Sequence, residues 1–477
     1  MGGGFFTHTQ TVKEVAFMHE DTIAAIATPV GEGGIGIVRI SGPQAKDIGK
    51  ELFRFHRPVQ NPQSHKLYYG HVIGEGGEVL DEALLAFMHS PRTYTTEDVV
   101  EINCHGGIMP LKKTLERTLQ LGARLAEAGE FTQRAFLNGR IDLAQAEAVI
   151  QIIRARTETA MQLSVAQLQG RLSQKVGEIR QQLLSVLAHM EASIDFPEHQ
   201  DVEDVAFVQL REAAELAHKE IDLLLQTADK GRILREGLRT AIVGRPNVGK
   251  SSLLNALLKE QRAIVTDIPG TTRDVLEESV NLGGIALTMV DTAGIRETTD
   301  TVEKMGVERS REALGQADLV LYVLDASDDL TAEDIELLQA AGEKPLIVIV
   351  NKTDLVSSPA DVTTKLHSEL ASVPVVPMSV VENRGLQELE EAIVSLVFQG
   401  DVKPSQSAMV TSARHKDALS RSLTFLQDML SALESGFAID LLAIDLHSAL
   451  DALGEITGET VGADLADEIF SAFCIGK

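Results

Sequence analysis

A glycine-rich loop at residues 244–251 carries the residues with the clearest chemistry. Its sequence, Gly-Arg-Pro-Asn-Val-Gly-Lys-Ser, places Lys250 and Ser251 directly after the second glycine. Glycines let the backbone turn tightly enough for successive amide N–H groups to converge on a phosphate. Lys250 can then reach the β- and γ-phosphates, and the Ser251 hydroxyl can bind Mg²⁺. The pattern predicts a P-loop rather than a chance glycine turn before a helix.

Two further motifs follow apolar runs downstream of this loop. The tetrapeptide 291–294, Asp-Thr-Ala-Gly, follows the run 285–290, so its carboxylate is expected to face Mg²⁺ and the γ-phosphate. The tetrapeptide 351–354, Asn-Lys-Thr-Asp, follows the run 346–350 and resembles the guanine-reading motif of GTPases. In that motif the aspartate accepts hydrogen bonds from the ring N1–H and the exocyclic amine, which excludes adenine. The nucleotide is therefore predicted to be GTP.

The elements that position these motifs alternate between strand-like and helix-like runs from about Leu238 to Phe398. This alternation is typical of a doubly wound parallel sheet with crossover helices, whose ligands bind at the C-terminal ends of the strands. The three motifs fall at such ends. The expected strands are 318–325, 345–350 and 373–378, and the expected helices are 307–317, 333–341 and 386–397.

Helical periodicity dominates on both sides of this block. Apolar residues recur there at three- and four-residue steps, which we interpret as helix packing rather than ligand contacts. Neither side alone has enough apolar surface to form the core of a stable domain. The two sides are therefore predicted to form one helical domain around the inserted block. The three stripes are Leu168, Leu172, Val176, Ile179, Leu183, Val186, Met190 and Ile194, ended by Pro197; Leu419, Leu423, Leu426, Leu430 and Leu433; and Leu442, Leu446, Leu450 and Leu453. A further helix is predicted through Leu216, Leu223 and Leu224.

The first third of the chain reads as short strands mixed with helices. Runs at 22–27, 35–40, 67–73 and 99–102 are bounded by Gly and Pro and predict strands. The glycine run 31–36 precedes a strand rather than a helix, so it predicts a tight connection and not a dinucleotide-binding loop. Cys104 stands beside a histidine at a strand end, and we interpret it as structural.

The length and composition of the chain limit the number of domains, the cellular compartment and the kinds of partner. A chain of 477 residues suggests about three domains. Its two cysteines, Cys104 and Cys474, are too few for a disulfide framework, which makes a reducing cytosol the expected compartment. Its net charge of −27 argues against nucleic-acid binding by the whole surface and leaves a local basic patch or a partner's surface. No apolar run is long enough to cross a bilayer. Residues 1–17 do not resemble a signal peptide and are expected to be a leader or the product of an upstream start, because patterned sequence begins near Met18.

The sequence lacks the glutamine that many small GTPases use for hydrolysis. Many small GTPases place a glutamine after Asp-x-x-Gly to orient the attacking water, but this chain has Ile295 there. The amide of Asn247 and the oxygens of the loop 266–274 can instead surround a monovalent cation, whose charge would stabilise the transition state. A loop-capping role for Asn247 fits the residues equally well.

The P-loop, the loop 266–274, the helical halves and the ending Phe473-Cys-Ile-Gly-Lys477 resemble the tRNA-modification GTPase family MnmE, also called TrmE. The resemblance covers nearly the whole chain from about Asp21. It implies a multidomain α/β and α protein with an N-terminal α+β folate-binding and dimerisation domain (1–138), a discontinuous helical domain (139–232 and 401–477), and an inserted Ras-like, doubly wound P-loop GTPase domain (233–400).

In that family, GTP hydrolysis is stimulated by K⁺, and the G domains meet across a dimer. By resemblance, Asn247, Thr266, Ile268 and Thr271 are K⁺ ligands, and Ser251 and Thr272 are Mg²⁺ ligands. Glu303 matches the catalytic glutamate that helps to position water, and Arg273 is a further catalytic candidate. The predicted GTP-binding set is Asn247, Val248, Gly249, Lys250, Ser251, Ser252, Thr266, Asp267, Ile268, Pro269, Gly270, Thr271, Thr272, Asp291, Thr292, Ala293, Gly294, Asn351, Lys352, Asp354 and Ser379.

The resemblance also assigns a site for a tetrahydrofolate one-carbon donor to Arg39, Glu101, Arg140 and Lys477. Without the family match, these charges would read as ordinary surface residues. Cys474 is needed for modification in that family, as an acid, base or nucleophile. The implied function is a cytoplasmic, homodimeric GTPase that works with an FAD-containing partner of the MnmG/GidA family. Together they install an aminomethyl or carboxymethylaminomethyl group at C5 of the wobble uridine of tRNA.

Two other functions are compatible with these sequence features. A ribosome-assembly or RNA-chaperone GTPase would bind RNA as a switch, without modification chemistry, and should carry an RNA-binding module after the G domain. A folate-dependent aminomethyltransferase with a passenger G domain would modify its substrate without GTP turnover.

Overall fold

The computed structural model describes residues 21–195, 200–260, 279–290, 314–342, 344–358, 373–398 and 408–477. Within these ranges the chain forms an N-terminal α+β region, a helical region contributed by two separate stretches, and an α/β region between them. The predicted leader at 1–17, Pro197 and most of the expected helix 307–317 lie outside the described residues.

The N-terminal region is a seven-stranded sheet with three helices, in the strand order β3-β4-β5-β6-β2-β1-β7. Neighbouring strands are antiparallel except for the parallel pair β1 and β7. Its strands are β1 (Ile23–Ile26), β2 (Gly33–Ser41), β3 (Phe53–Phe55), β4 (Lys66–Ile73), β5 (Val79–Met88), β6 (Val99–Gly106) and β7 (Arg124–Leu125), and its helices are α1 (Ala45–Glu51), α2 (Ile108–Gln120) and α3 (Glu130–Leu137).

The glycine run of this region is partly strand, which corrects the expected tight connection. β2 already begins at Gly33, and its pairing with β6 shifts register between Gly33 and Gly36. A Cβ on Gly36 would lie 2.6 Å from the Leu111 Cδ1 atom of α2. Glycine therefore lets α2 pack directly against the sheet.

The helical region joins residues from both sides of the α/β region into one core, as predicted. Helices α6, α7, α12 and α13 pack together around it. An Asp142–Gln145 capping box starts α4, and the Thr157 hydroxyl caps α5. The helices are α4 (Leu143–Arg154), α5 (Glu158–Leu168), α6 (Arg171–Asp195), α7 (Gln200–Leu225), α8 (Ala228–Glu236), α12 (Ala413–Glu434), α13 (Ile439–Thr457) and α14 (Ala463–Ser471).

The helix predicted through Leu216, Leu223 and Leu224 is present as α7, but only one of these leucines faces the core. Leu224 is buried, but Leu216 and Leu223 are 45% and 54% exposed. The buried face of α7 is formed instead by Leu210, Ala214, Ala217 and Ile221, which recur at three- and four-residue steps. In the first stripe, Ile194 is also exposed, whereas residues from Leu172 to Met190 face the core as expected.

The α/β region is a six-stranded sheet in the order β13-β12-β11-β8-β10-β9, parallel except for the β9–β10 hairpin. Its central strands are buried along almost their whole length because apolar residues cover both faces of the sheet. The elements are β8 (Leu238–Val243), α9 (Lys250–Glu260), β9 (Ser279–Leu282), β10 (Ile285–Met289), β11 (Leu319–Asp325), α10 (Ala332–Ala340), β12 (Leu346–Asn351), β13 (Val375–Pro377) and α11 (Leu386–Phe398).

Candidate functional site

The P-loop connects the buried strand β8 to helix α9. Gly244 and Gly249 have φ values of 147° and 103°, which side-chain-bearing residues rarely adopt. A Cβ on Gly244 would lie 2.3 Å from the Val323 carbonyl oxygen, and one on Gly249 would lie 2.1 Å from the Asn351 Nδ2 atom. Both glycines are therefore required by conformation and by close packing.

Lys250 folds back over this loop from the first turn of α9. Its Nζ atom donates to the carbonyl oxygens of Gly244 and Arg245, both at 2.6 Å. Asn247 is exposed at the tip of the loop, with a left-handed φ of 64°. Backbone amides, one ammonium group and a helix N-terminus thus come together as a phosphate-binding loop requires.

The guanine-reading motif lies beside the P-loop at the end of β12. The buried Asn351 side chain donates from Nδ2 to the Val248 carbonyl oxygen at 2.9 Å. The Ser379 hydroxyl donates to the Asp354 Oδ1 atom at 2.6 Å, which orients that carboxylate. These contacts bring together the two predicted binding segments and Ser379.

Lys352 has an acidic partner that the sequence interpretation missed. Its Nζ atom lies 2.7 Å from the Asp325 Oδ2 atom at the end of β11, and Lys352 itself has a left-handed φ of 61°. Burial alone would raise the pKa of Asp325, but the Lys352 ammonium and the Ser327 donors hold it below its usual value. The only sequence signal was an aspartate ending an apolar strand.

A second group of predicted residues meets on the N-terminal sheet. Arg39 on β2 and Glu101 on β6 are cross-strand partners, and the Arg39 Nε atom donates to the Glu101 Oε1 atom at 2.8 Å. The Arg39 Nη1 atom also donates to the Gly476 carbonyl oxygen at 3.2 Å. The C-terminal tail is thus held against the sheet by a residue 437 positions earlier.

The tail is fixed by its backbone as well. Ile475 forms an antiparallel bridge with Ala128, and a Cβ on Gly476 would lie 2.5 Å from the Ile26 carbonyl oxygen. Burial and the neighbouring Arg39 lower the pKa of Lys477, against the opposing effect of Glu101. Cys474 is exposed beside this junction.

Arg140 reaches the same area through Tyr94, an aromatic residue that the sequence interpretation missed. The Arg140 guanidinium carbon lies 4.8 Å from the Tyr94 ring centroid, and its Nη1 atom donates to the Tyr94 carbonyl oxygen at 2.9 Å. The Arg39 guanidinium carbon lies 5.7 Å from the same ring. Tyr94 therefore links two of the four predicted folate ligands by cation–π contacts.

Several predicted residues lie outside the described ranges: Thr266, Asp267, Ile268, Pro269, Gly270, Thr271, Thr272, Arg273, Asp291, Thr292, Ala293, Gly294 and Glu303. In the described part of the chain, no three His, Cys, Asp or Glu side chains come together to hold a metal ion. None of the helices in the described ranges is both long and apolar enough to span a membrane.

A P-loop beside a guanine-reading motif, on a doubly wound sheet inserted in a helical domain, defines a multidomain P-loop GTPase. Residues 143–474 match the profile of the MnmE helical domain, and residues 22–140 match that of the GTP-binding protein TrmE N-terminus.

Full-length relatives agree with these profiles. The tRNA modification GTPase MnmE of Heliobacterium modesticaldum is 53% identical over 465 residues, which cover 96% of this chain and 99% of that protein. The protein of the same description from Geobacillus kaustophilus is 51% identical over 461 residues, with coverage of 96% and 99%. The chain belongs to the tRNA modification GTPase MnmE family, and the predicted family and fold class are confirmed.

Among solved structures, an Era variant from Aquifex aeolicus bound to GDP.AlF4− is 28% identical and covers 40% of this chain and 67% of its own. Its TM-score of 0.28 is too low to bear on the fold.

Proposed function

We propose that this chain hydrolyses GTP with K⁺ and Mg²⁺ and, with an FAD-containing partner of the MnmG/GidA family, modifies tRNA. The product is an aminomethyl or carboxymethylaminomethyl group at C5 of the wobble uridine, and a tetrahydrofolate derivative donates the methylene carbon. The observation that supports this best is the C-terminal tail on the Arg39–Glu101 pair, because it places Cys474 and Lys477 beside the residues expected to bind folate.

The P-loop and the guanine-reading motif would bind GTP in this proposal. Lys250 would contact the β- and γ-phosphates, and Asp354, oriented by Ser379, would accept from the guanine ring N1–H and amine. Glu303 would position the attacking water in place of the missing glutamine, and Arg273 would position its own loop. Because the reaction develops negative charge on the phosphates, the Lys250 contact would act on the transition state, whereas the Asp354 contact would select the base.

The metal sites use hydroxyl, amide and carbonyl oxygens, which are the donors that hard cations prefer. Ser251 and Thr272 would hold Mg²⁺, and Asn247, Thr266, Ile268 and Thr271 would hold K⁺. The exposed amide of Asn247 at the loop tip fits this role. The chemistry that the ions supply is positive charge beside the transferring phosphoryl group.

The proposed folate site consists of polar groups on the N-terminal sheet and on the C-terminal tail of the chain. Glu101 would accept from the amino and N–H edge of the pterin, and Arg39, 2.8 Å from Glu101, would orient that carboxylate. Arg140 and Lys477 would pair with the carboxylates of the glutamate tail. Cys474 would act as an acid, a base or a nucleophile. GTP turnover would open and close paired G domains of a homodimer in the reducing cytosol, which is a switching role rather than carbon chemistry.

Nucleoside analysis of tRNA tests this function directly. Cells that lack the protein are expected to lose the modified wobble uridine, and a normal content of that nucleoside would refute the proposal. With purified protein, replacing K⁺ by Na⁺ should slow GTP turnover sharply, and Glu303→Ala should abolish hydrolysis while GTP still binds. Equal rates of GTP turnover in K⁺ and Na⁺ would refute the proposed K⁺ site. Unchanged GTP turnover by the Glu303→Ala variant would refute the proposed role of Glu303.

A further inference from the structure

Two stretches of the N-terminal sheet contain no aspartate or glutamate, although the whole chain has a net charge of −27. They are residues 52–74 and 83–96. Between them they carry four arginines or lysines and four histidines: Arg54, Arg57, Lys66, Arg92, His56, His65, His71 and His89. Such a concentration of cationic and titratable groups in an acidic protein marks a surface for an anionic partner.

The fold brings these two stretches side by side. β4 pairs with β5, the His65 amide donates to the Phe87 carbonyl oxygen at 2.7 Å, and the His89 amide donates to the Ser64 hydroxyl at 2.9 Å. One end of the sheet therefore presents a single surface, the basic edge. It consists of Arg57, Lys66, Arg92, His56, His65 and His89, all exposed except the half-buried His89.

The cations of the basic edge are not neutralised locally. Within the described ranges no carboxylate forms an ion pair with Arg57, Lys66 or Arg92, and the Lys66 ammonium lies 5.9 Å from the Tyr68 ring centroid. The acidic residues nearest along the loop after β5 are already paired. The Lys46 ammonium lies 2.6 Å from Asp98, and the Arg134 guanidinium lies 3.1 Å from Glu97.

The acidic residues of β5 lie towards the other end of the sheet. Lys66 stands opposite Phe87, whereas Glu82 stands opposite His71, so about 17 Å of strand separates the two positions. Glu82 also accepts a hydrogen bond from the Tyr69 hydroxyl at 2.9 Å. The basic edge is therefore free to bind phosphate groups.

The position of the basic edge favours RNA as its partner. Arg92 is two residues before Tyr94, and the Tyr94 ring contacts both Arg39 and Arg140 of the proposed folate site. A nucleic acid held by the basic edge would thus lie next to the carbon donor. The exposed ring of His56 at the basic edge offers a stacking surface for an unpaired base.

We propose that the basic edge contacts the phosphate backbone of the tRNA substrate. This inference rests on the proposed function and adds to it the surface of this chain that meets the RNA.

The test measures binding of an unmodified tRNA transcript to the full-length protein at several KCl concentrations by fluorescence anisotropy. The test variant carries Arg57→Gln, Lys66→Gln and Arg92→Gln. The matched control carries Arg211→Gln, Lys219→Gln and Lys259→Gln, which removes three exposed positive charges elsewhere. Each lost phosphate contact lowers the slope of log K against log[salt] by about 0.7 to 0.9. We therefore expect the test variant to lose about 2 from that slope and to bind at least about tenfold more weakly, while the control stays within about twofold of the wild type.

Equal tRNA binding by the two variants would overturn the proposal. So would a wild-type chain that does not bind tRNA, and in that case nucleoside analysis of depleted cells still decides separately whether the modification function holds. A test variant that keeps its tRNA affinity but no longer co-purifies with the FAD-containing partner would assign the surface to that protein instead. Thermal unfolding checks the fold of the triple variant, and the single Arg57→Gln and Arg92→Gln variants should each lose about one third of the slope change.

Discussion

The two cysteines, Cys104 and Cys474, differ in their surroundings. Cys104 is buried against α2, with its Sγ atom 3.4 Å from the Thr114 hydroxyl, and burial raises its pKa to about 11. Cys474 is exposed on the tail. Since only the thiolate is nucleophilic, Cys104 is protected both by its protonation and by its position, as its structural interpretation requires.

Alkylation should separate these two thiols. At pH 8 a pKa of about 11 leaves roughly one Cys104 in a thousand as thiolate. We expect iodoacetamide to modify one cysteine per native chain, at Cys474, and both cysteines after unfolding. Peptide mass spectrometry gives the positions, and a Cys474→Ser chain that is still alkylated in the native state would contradict the assignment.

How far a site can be predicted from sequence depends on how local its contacts are. The P-loop was predictable because the spacing of Gly244, Gly249 and Lys250 is itself the structure that binds phosphate. The contact between Arg39 and Gly476 was not predictable from spacing, since folding alone brings together residues so distant in the chain. Tyr94 was missed for the same reason, because its two guanidinium neighbours come from other elements.

Secondary-structure elements also differ in how well the sequence predicts them. β11 and β12 were predicted to within two residues at each end, because strands buried on both faces are continuously apolar. β5 was missed. Its sequence, Val-Leu-Asp-Glu-Ala-Leu-Leu-Ala-Phe-Met, is rich in helix-forming residues, and pairing with β4 and β6 on its two sides makes it a strand.

Helix α8 provides an element-level test, because it packs against the chain that returns from the α/β region. A Cβ on Gly231 would lie 2.1 Å from the Val410 carbonyl oxygen, and the Val410 amide donates to the Thr227 hydroxyl at 3.0 Å. We expect Gly231→Ala to lower the free energy of unfolding by about 1–3 kcal/mol, since the methyl group forces these backbones apart. Thermal unfolding of the full chain measures the change.

The control is a second helical glycine. Gly177 in α6 has no atom within 4 Å of its Cβ position, so Gly177→Ala should raise stability by about 0.5–1 kcal/mol through backbone entropy. A gain in stability by both variants would mean that the α8 contact is not close.

At the scale of the whole molecule, a buried ion cluster joins the two halves of the helical region. Glu147 on α4 accepts from the Arg414 Nε atom at 2.6 Å and lies 3.0 Å from the His415 Nε2 atom, both at the start of α12. Burial alone would raise the pKa of Glu147, but His415 and Arg414 hold it at about 2. The second half of the helical region is thus attached to the first by a carboxylate that stays charged at neutral pH.

Acid should loosen this attachment. Because the pKa of Glu147 is lower in the folded chain than its usual 4.5, its stabilisation is complete above pH 4.5 and is lost as the pH falls towards 2. We expect Glu147→Gln to cost on the order of 3 kcal/mol at pH 7. The difference from the wild type should shrink steadily below pH 4.5 in urea unfolding at each pH. The exposed Glu178→Gln is the control, and a gap between wild type and Glu147→Gln that does not change with pH would exclude this linkage.

The α/β region meets the helical region through the β9–β10 hairpin, which gives nucleotide binding a physical route to the rest of the chain. The Arg156 Nη1 atom, just before α5, donates to the hydroxyls of Ser279 at 2.7 Å and Thr288 at 3.3 Å. The Thr159 hydroxyl lies 2.5 Å from the Cβ position of Gly284 in the same hairpin. A movement of the sheet would therefore be passed to α5 by a polar contact that one substitution can remove.

Arg156→Ala should uncouple the two activities of the protein. The change leaves the P-loop and the guanine-reading residues untouched, so GTP turnover is expected to stay within about twofold, while loss of the hydrogen bonds costs about 1 kcal/mol of coupling. Modification of tRNA in complemented cells should then fall several-fold, measured beside GTP hydrolysis by the purified chain. Arg211→Ala, an exposed arginine on α7, controls for the lost charge. Full modification by Arg156→Ala would show that the hydrogen bonds of Arg156 to Ser279 and Thr288 do not couple the α/β region to modification.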